Sequence, residues 1–157
     1  MRHVTLSIQR CSAFKMIGKA LLTLSAAGAI LGPFIADFNE THVLNPRWPP
    51  HAKFHNGQTM SMGLGLGFAT LFYTWRTGSL TSTAMVKDSL FTAAIFGSIY
   101  WITALSAILY PGTLAIDPEF GEGFPQFWTF VGFGVSAWLG WFVETRGMKT
   151  EVEKKRL

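Results

Sequence analysis

Four long runs without a charged side chain constrain the fold of this chain more than any other feature. They cover residues 20–36, 58–75, 89–116 and 123–143. Each is long enough for a membrane helix, because a helix rises about 1.5 Å per residue and the hydrocarbon core is about 30 Å thick. A backbone in lipid must satisfy its own hydrogen bonds, which favours helices. We therefore predict an all-α, integral membrane four-helix bundle.

The whole chain fits this bundle as one membrane domain, residues 1–157. The predicted spans cover about residues 18–36, 57–75, 88–110 and 124–143, and basic tails at residues 1–17 and 145–157 flank them. The composition agrees with a membrane protein, since only 14% of the residues are charged, against about 25% in an average soluble domain.

Lysine and arginine are distributed as in a membrane protein with both termini in the cytoplasm. The two tails are rich in them, whereas the third loop, around residues 117–122, has acidic residues and no basic ones. Cytoplasmic flanks carry the excess of lysine and arginine, so the first and third loops face the lumen, and we expect the endoplasmic reticulum or a related membrane. The net charge of +4 comes from these tails, so we expect membrane lipid and no nucleic acid as partner.

Residues 37–58, between the first two spans, hold most of the side chains suited to chemistry. They include three of the four histidines and two of the nine carboxylates. Proline suits the first position of a helix, so we predict that the second helix begins at Pro49 or Pro50. His51 and His55 then lie four residues apart on one helix face. The candidate catalytic residues are Asp37, His42, His51 and His55.

These four side chains suit proton transfer. Imidazole titrates near neutral pH, and a neighbouring carboxylate acts as a base or orients the ring. A site of this kind at the lumenal membrane face suits a hydrophobic small molecule that enters from lipid, and the acids Asp117, Glu119 and Glu122 lie on the same side. The sequence thus predicts an acid/base isomerase or cyclase of terpenoid- or polyketide-type secondary metabolism.

Two alternatives stay open. Histidines four apart on a helix have a spacing that binds a divalent metal, with another histidine and a carboxylate completing the ligands. His51 and His55 are then metal ligands of a membrane oxygenase, and without that metal we expect no cofactor. In the second alternative the chain is a non-enzymatic accessory or carrier protein, and the loop is only structural.

Alternating glycines mark residues 62–68, which read M-G-L-G-L-G-F. A phosphate-binding loop would need such glycines between a strand and a helix of a soluble domain. Here the surroundings are those of a membrane helix, in which small residues allow close helix packing. We therefore predict a packing face and no nucleotide site.

The segment of residues 36–58 also resembles a known protein family. Its pattern D-x-N-x-T-H-x-x-N-P-x-W-P-P-H-A-x-F-H is similar to that of uncharacterised, small, four-span membrane proteins of fungi, often labelled acetyltransferase. The resemblance implies a four-span fold and a signature at Asp37, Thr41, His42, Asn45, Pro46, Trp48, Pro50, His51 and His55. It implies no substrate, and these residues do not resemble a coenzyme A phosphate cradle.

Overall fold

The computed structural model describes the backbone of residues 2–148 and the side chains of residues 16–148. Within this part of the chain the protein is all-helical, with four α-helices and no β-strand. The helices are α1 (Arg2–Asp37), α2 (Pro50–Trp75), α3 (Thr83–Ser106) and α4 (Phe127–Thr145). Residues 149–157 of the predicted C-terminal basic tail lie outside the described residues.

The helix boundaries agree with the prediction at some ends and differ at others. Helix α2 begins at Pro50, as its proline predicts. Helix α1 begins at Arg2, so it runs through most of the predicted basic tail. The reason is that charge delimits a membrane span but does not end a helix, and residues 2–17 contain neither proline nor glycine.

Two stretches of helix are long and apolar enough to cross a membrane, among the residues that the structure describes. They are Met16–Asp37 of α1 and Thr83–Leu109, which consists of α3 and a short 3-10 turn. Helix α2 begins with a polar turn, and α4 contains three tryptophans, which lowers the average hydropathy of both. The prediction of four helices is confirmed, and two of them meet the requirement for a span by length and composition.

The four helices form a square bundle. Each of α1 and α3 packs against both α2 and α4, so α1 and α3 lie on one diagonal and α2 and α4 on the other. The connections at residues 38–49 (loop 1) and 110–126 (loop 3) meet at one end, which we call the site end. Because the tip of α1 and the start of α2 lie there together, their side chains share one site.

Glycines let the helix backbones touch. A Cβ atom on Gly63 would lie 2.5 Å from the carbonyl oxygen of Ala29, and one on Gly67 would lie 2.9 Å from that of Ala26. On the other side of α1, a Cβ atom on Gly140 of α4 would lie 2.7 Å from a carbonyl oxygen of α1. These separations leave no room for a side chain, so Gly63 and Gly67 form the predicted packing face, whereas Gly65 is exposed and does not belong to it.

Most buried side chains are small and many of them are polar, whereas many large apolar side chains are exposed. Ser25 on α1 donates to the Gly97 carbonyl at 2.7 Å and accepts from Trp101 Nε1 at 3.1 Å, which links α1 to α3 across the bundle. Other buried polar side chains are Asn45, Thr70, Thr74, Thr77, Ser89, Ser98, Ser136 and Glu144. Large exposed apolar side chains are Leu31, Phe68, Phe72, Ile99, Ile102, Leu139 and Phe142. Soluble proteins show the opposite distribution, with large apolar side chains inside.

We predict that Gly63→Ala destabilises the protein and that Gly65→Ala does not. The new methyl group at position 63 meets backbone, and overpacking of this kind costs about 1–3 kcal/mol, whereas a Cβ atom on Gly65 has nothing within 4 Å. Thermal unfolding of the purified protein in detergent measures both effects. Equal midpoints for the two variants would contradict the close contact of α1 with α2.

Candidate functional site

A cavity of about 410 Å³ lies at the site end of the bundle, between loop 1 and loop 3. We call it the loop cavity. Its polar lining is Asp37, Thr41, His42, Asp117 and Gln126, and its apolar lining includes Trp48, Leu114, Ile116, Phe120 and Phe130. Polar groups that converge in a mostly apolar cavity are the usual composition of a small-molecule site. Two of the four predicted site residues, Asp37 and His42, line this cavity.

Two asparagines shape loop 1. Asn39 donates from Nδ2 to the Ala36 carbonyl at 2.7 Å, and its Oδ1 accepts from the backbone N–H of Thr41 at 2.8 Å. Asn45 is buried, and its Oδ1 accepts from the backbone N–H of Arg47 at 2.9 Å. Asparagine stabilises turns by such local bonds to the backbone. The loop is therefore wound into compact turns directly after α1.

Contacts between the loops close the cavity. Trp48 Nε1 donates to Asp117 Oδ2 at 3.4 Å, and the Trp48 ring lies edge-on to the His42 ring with centroids 5.0 Å apart. Arg47 forms an ion pair with Glu119 of loop 3. Of the three carboxylates predicted to accompany the site, Asp117 lines the cavity, whereas Glu119 pairs with Arg47 and Glu122 does not line the cavity.

Asp37 and His42 form the polar centre of the loop cavity. His42 Nε2 lies 3.8 Å from Asp37 Oδ1, and the two side chains are 37% and 17% exposed. Asn56 Nδ2, on the first turns of α2, donates to Asp37 Oδ2 at 2.9 Å. Asn56 of α2 thus orients the Asp37 carboxylate through Oδ2, and Oδ1 faces the His42 imidazole.

The hydrogen bonds around Thr41 determine which nitrogen of His42 carries the proton. The hydroxyl of Thr41 donates its one hydrogen to Asn39 Oδ1 at 2.6 Å, and His42 Nδ1 lies 2.7 Å from the same hydroxyl oxygen. Since a hydroxyl has a single hydrogen, Nδ1 must be the donor to Thr41. In the neutral ring His42 Nε2 is then an acceptor, and it faces the Asp37 carboxylate, which also accepts. A proton added to Nε2 would therefore lie between the imidazole and the carboxylate.

His51 and His55 form a second pair on α2. Their Nε2 atoms lie 3.0 Å apart, so the rings share one helix face as the spacing predicts, and Gln58 Oε1 lies 3.3 Å from His55 Nδ1. Both side chains are exposed, and neither lines the loop cavity. The four predicted residues therefore lie in two pairs, Asp37 with His42 and His51 with His55, and not in one cluster.

The second pair offers a metal ion two ligands. Nitrogens that share one ion at about 2.0–2.1 Å lie roughly 3 Å apart, which the observed separation matches. No group of three histidine, cysteine, aspartate or glutamate side chains comes together among the described side chains. A complete four-ligand shell from protein is thus absent there, and metal binding by His51 and His55 stays a prediction.

Asn56 is the site residue that the sequence analysis missed. It follows His55 directly, but one helical residue turns the side chain by about 100°, so it points to α1 and not to the exposed histidine face. Its stripe continues along α2 through Met60, Gly63 and Gly67, which are buried. That stripe is visible in the sequence as small and apolar residues at helical spacing, and it would have located Asn56.

We predict that Ni²⁺ raises the unfolding temperature of the protein through His51 and His55. A ligand present at a hundred times its dissociation constant stabilises the native state by about 2.7 kcal/mol, and the two imidazoles bind only when helical. Differential scanning fluorimetry of the protein with its tag removed measures the shift. His55→Ala serves as the control and should show none. An equal shift in that variant, or no shift in the original protein, would exclude the pair as a metal site.

Comparison with known proteins places the chain in a family. No curated protein and no solved structure shows significant similarity to it. Residues 21–155 match a family described as a family of unknown function, DUF6640. This match includes both pairs of candidate residues and all of α2, α3 and α4. The chain therefore belongs to the DUF6640 family.

Proposed function

We propose that the protein is a four-span membrane enzyme that acts on a lipophilic small molecule through Asp37 and His42 in the loop cavity. The observation that carries this proposal is the carboxylate and imidazole that face each other in a cavity with otherwise largely apolar walls.

The outward-facing side chains support a membrane around all four helices. Exposed large apolar residues occur on each helix, for example Leu31, Phe72, Ile102 and Phe142. A water-soluble monomer rarely exposes an apolar patch beyond a few hundred Å², whereas lipid-facing helices carry large apolar residues outside and small ones at their interfaces. Helices α2 and α4 share this pattern with α1 and α3, so we extend the proposal to four spans.

The charge distribution supports the orientation. Both termini are then cytoplasmic, and the site end faces the lumen of the endoplasmic reticulum or a related membrane. Cations near the other end fit this assignment, since Lys19 lies over the Trp75 ring at 5.4 Å and Arg76 lies over the Tyr73 ring at 4.7 Å. The resemblance of residues 36–58 to four-span fungal proteins agrees with the same layout.

The geometry of the pair suits an isomerisation or cyclisation. In such a reaction one proton leaves one substrate atom and one proton is added to another, so no oxidant is needed. His42 Nε2 is free to take a proton, and Asp37 stabilises the imidazolium that results. Asp117, on the opposite loop, supplies a second carboxylate. The apolar wall holds a terpenoid- or polyketide-type substrate and excludes water.

Asn56 supports a functional role for the pair. Its Oδ1 is buried and has no hydrogen-bond partner among the described residues. A buried acceptor without a partner costs roughly 1–3 kcal/mol, and natural proteins keep few of them. Asn56 orients Asp37 at this cost, which supports a role for the carboxylate beyond the connection of two helices.

A non-enzymatic accessory or carrier protein is the second candidate. The closed network of loop 1, in which Asn39, Asn45 and the Arg47–Glu119 ion pair fix the backbone, favours it. In that case the cavity binds a molecule without changing it. The two candidates differ in what happens when the proton-transfer groups are removed and the fold is kept.

We predict that Asp37→Asn and His42→Ala each lower product formation by about 10²- to 10⁴-fold, the usual contribution of a general acid or base. The measurement compares lipophilic metabolites of cells that express each variant with those of cells that express the original protein. Asp37→Asn keeps the size of the side chain, so it tests the charge.

Glu40→Gln is the matched control, because Glu40 is an exposed carboxylate of the same loop. It should leave the metabolites unchanged. Normal accumulation and unfolding temperature must accompany any loss in the two test variants. Unchanged metabolites with both Asp37→Asn and His42→Ala would reject the acid/base enzyme and leave the accessory or carrier protein.

A further inference from the structure

We infer that the substrate is a single-chain amphiphile with an uncharged oxygen-containing head, bound with its head in the loop cavity and its tail between α3 and α4. This inference rests on the proposed function and narrows its substrate from terpenoid- or polyketide-type molecules to linear chains. It starts from a second cavity of about 600 Å³, which we call the tail groove. Its apolar lining includes Ile102, Leu105, Val131, Gly134, Trp138 and Leu139.

Phe130 connects the two cavities. Phe130 lines the loop cavity and the tail groove, and it also lines a third space of about 180 Å³ beside the end of α3 and loop 3. Because α4 begins at Phe127, Phe130 lies one turn inside the helix, at the site end. A single side chain thus stands between the polar centre and the apolar groove, so one molecule that passes Phe130 can occupy both.

The groove has the length of a long hydrocarbon chain. Along α4 it extends from Phe130 to Phe142, and twelve residues of helix rise about 18 Å. An extended saturated chain of roughly 14 carbons has this length, given carbon–carbon bonds of about 1.5 Å at tetrahedral angles. Helix α3 contributes Trp101, Ile102 and Leu105 to the lining, so both helices bound the groove near the site end and α4 bounds the rest of it. A linear tail of about 12–16 carbons fits best.

The charges of the loop cavity select the head group. Asp37 and Asp117 both line it, and the lining contains no lysine or arginine. Arg47, the nearest cation in loop 1, is engaged by Glu119 at the rim. An anionic head would approach two carboxylates in a poorly hydrated space, where like charges repel strongly. A hydroxyl can instead donate to His42 Nε2 or to the Thr41 oxygen, and a carbonyl or epoxide oxygen can accept from the second N–H of Gln126 Nε2.

The same charges argue against a membrane phospholipid as the occupant. Its phosphate would have to lie beside Asp37 and Asp117. A phospholipid could place its phosphate only at the opposite end of the groove, where Trp141 and Phe142 also border a pocket that contains Lys87 and Arg146. The two ligands therefore differ in orientation. The last carbons of the tail would lie near Phe142 in the proposed amphiphile and near Phe130 in a phospholipid.

Photolabelling of the purified full-length protein in detergent tests the inference. The probes are tetradecan-1-ol with a diazirine at the end of the tail and tetradecanoic acid with the same diazirine. We expect the alcohol to label residues 138–142 at least tenfold more than the acid does. Peptide mass spectrometry locates and quantifies the label. Labelling at Phe130 instead of at residues 138–142, or equal labelling by the acid, would overturn the inference.

Gly134→Leu and Gly132→Leu form a matched pair for the groove. A Cβ atom on Gly134 would lie 3.5 Å from Trp101 Cβ, an ordinary contact, and Gly134 lines the groove, so a leucine there takes up space in the groove. A Cβ atom on Gly132 has nothing within 4 Å, and Gly132 does not line the groove. Gly134→Leu should lower labelling by the alcohol at least fivefold, and Gly132→Leu should keep it.

These experiments can reject the tail groove and the proposed function separately. Equal labelling of the two glycine variants overturns the tail groove even if Asp37→Asn abolishes product. Conversely, groove labelling as expected, together with unchanged metabolites in Asp37→Asn, overturns the acid/base enzyme alone and leaves a binding site for the amphiphile.

Discussion

The structure depends on backbone contact between α1 and its two neighbours. Gly63 and Gly67 of α2 and Gly140 of α4 bring these helices so close that no side chain fits between them. Much of the interior is consequently alanine, serine and threonine, and its few large buried side chains are Leu22, Met60, Leu90, Tyr100 and Trp101. Many of the isoleucine and phenylalanine side chains are exposed, and large apolar residues outside with small residues at the interfaces are typical of helices in lipid. Close packing of the helices through small residues thus agrees with the proposed membrane setting.

The same contact assembles the candidate site. Because α1 and α2 lie close along their length, the last residue of α1, Asp37, lies beside Asn56 near the start of α2 and accepts its hydrogen bond. Loop 1 then has only a short distance to cover, and its local asparagine bonds place His42 opposite the carboxylate. Loop 3 adds Asp117 and the apolar wall. The site therefore combines a rigid part on helix ends with a loop held by its own turns.

The sequence was sufficient for the helices and for local relations within them. Pro50 marks the start of α2, and the spacing of His51 and His55 places them on one face. Contacts between distant residues were not predictable, such as Trp48 with Asp117, 69 residues apart. They depend on how far each helix is rotated in the bundle, and one residue of helix changes that rotation by about 100°. For this reason the sequence suggested one cluster of four residues where the structure has two pairs.

Labelling of native membranes with a lipid-soluble carbene reagent tests the central claim most directly, namely that small residues face inward and large apolar residues face lipid on all four helices. The account predicts label on Phe68 and Phe72 of α2 and on Leu139 and Phe142 of α4 as strongly as on α1 and α3, with Ser25 spared. Label confined to α1 and α3, with α2 and α4 modified by water-soluble reagents, would contradict it.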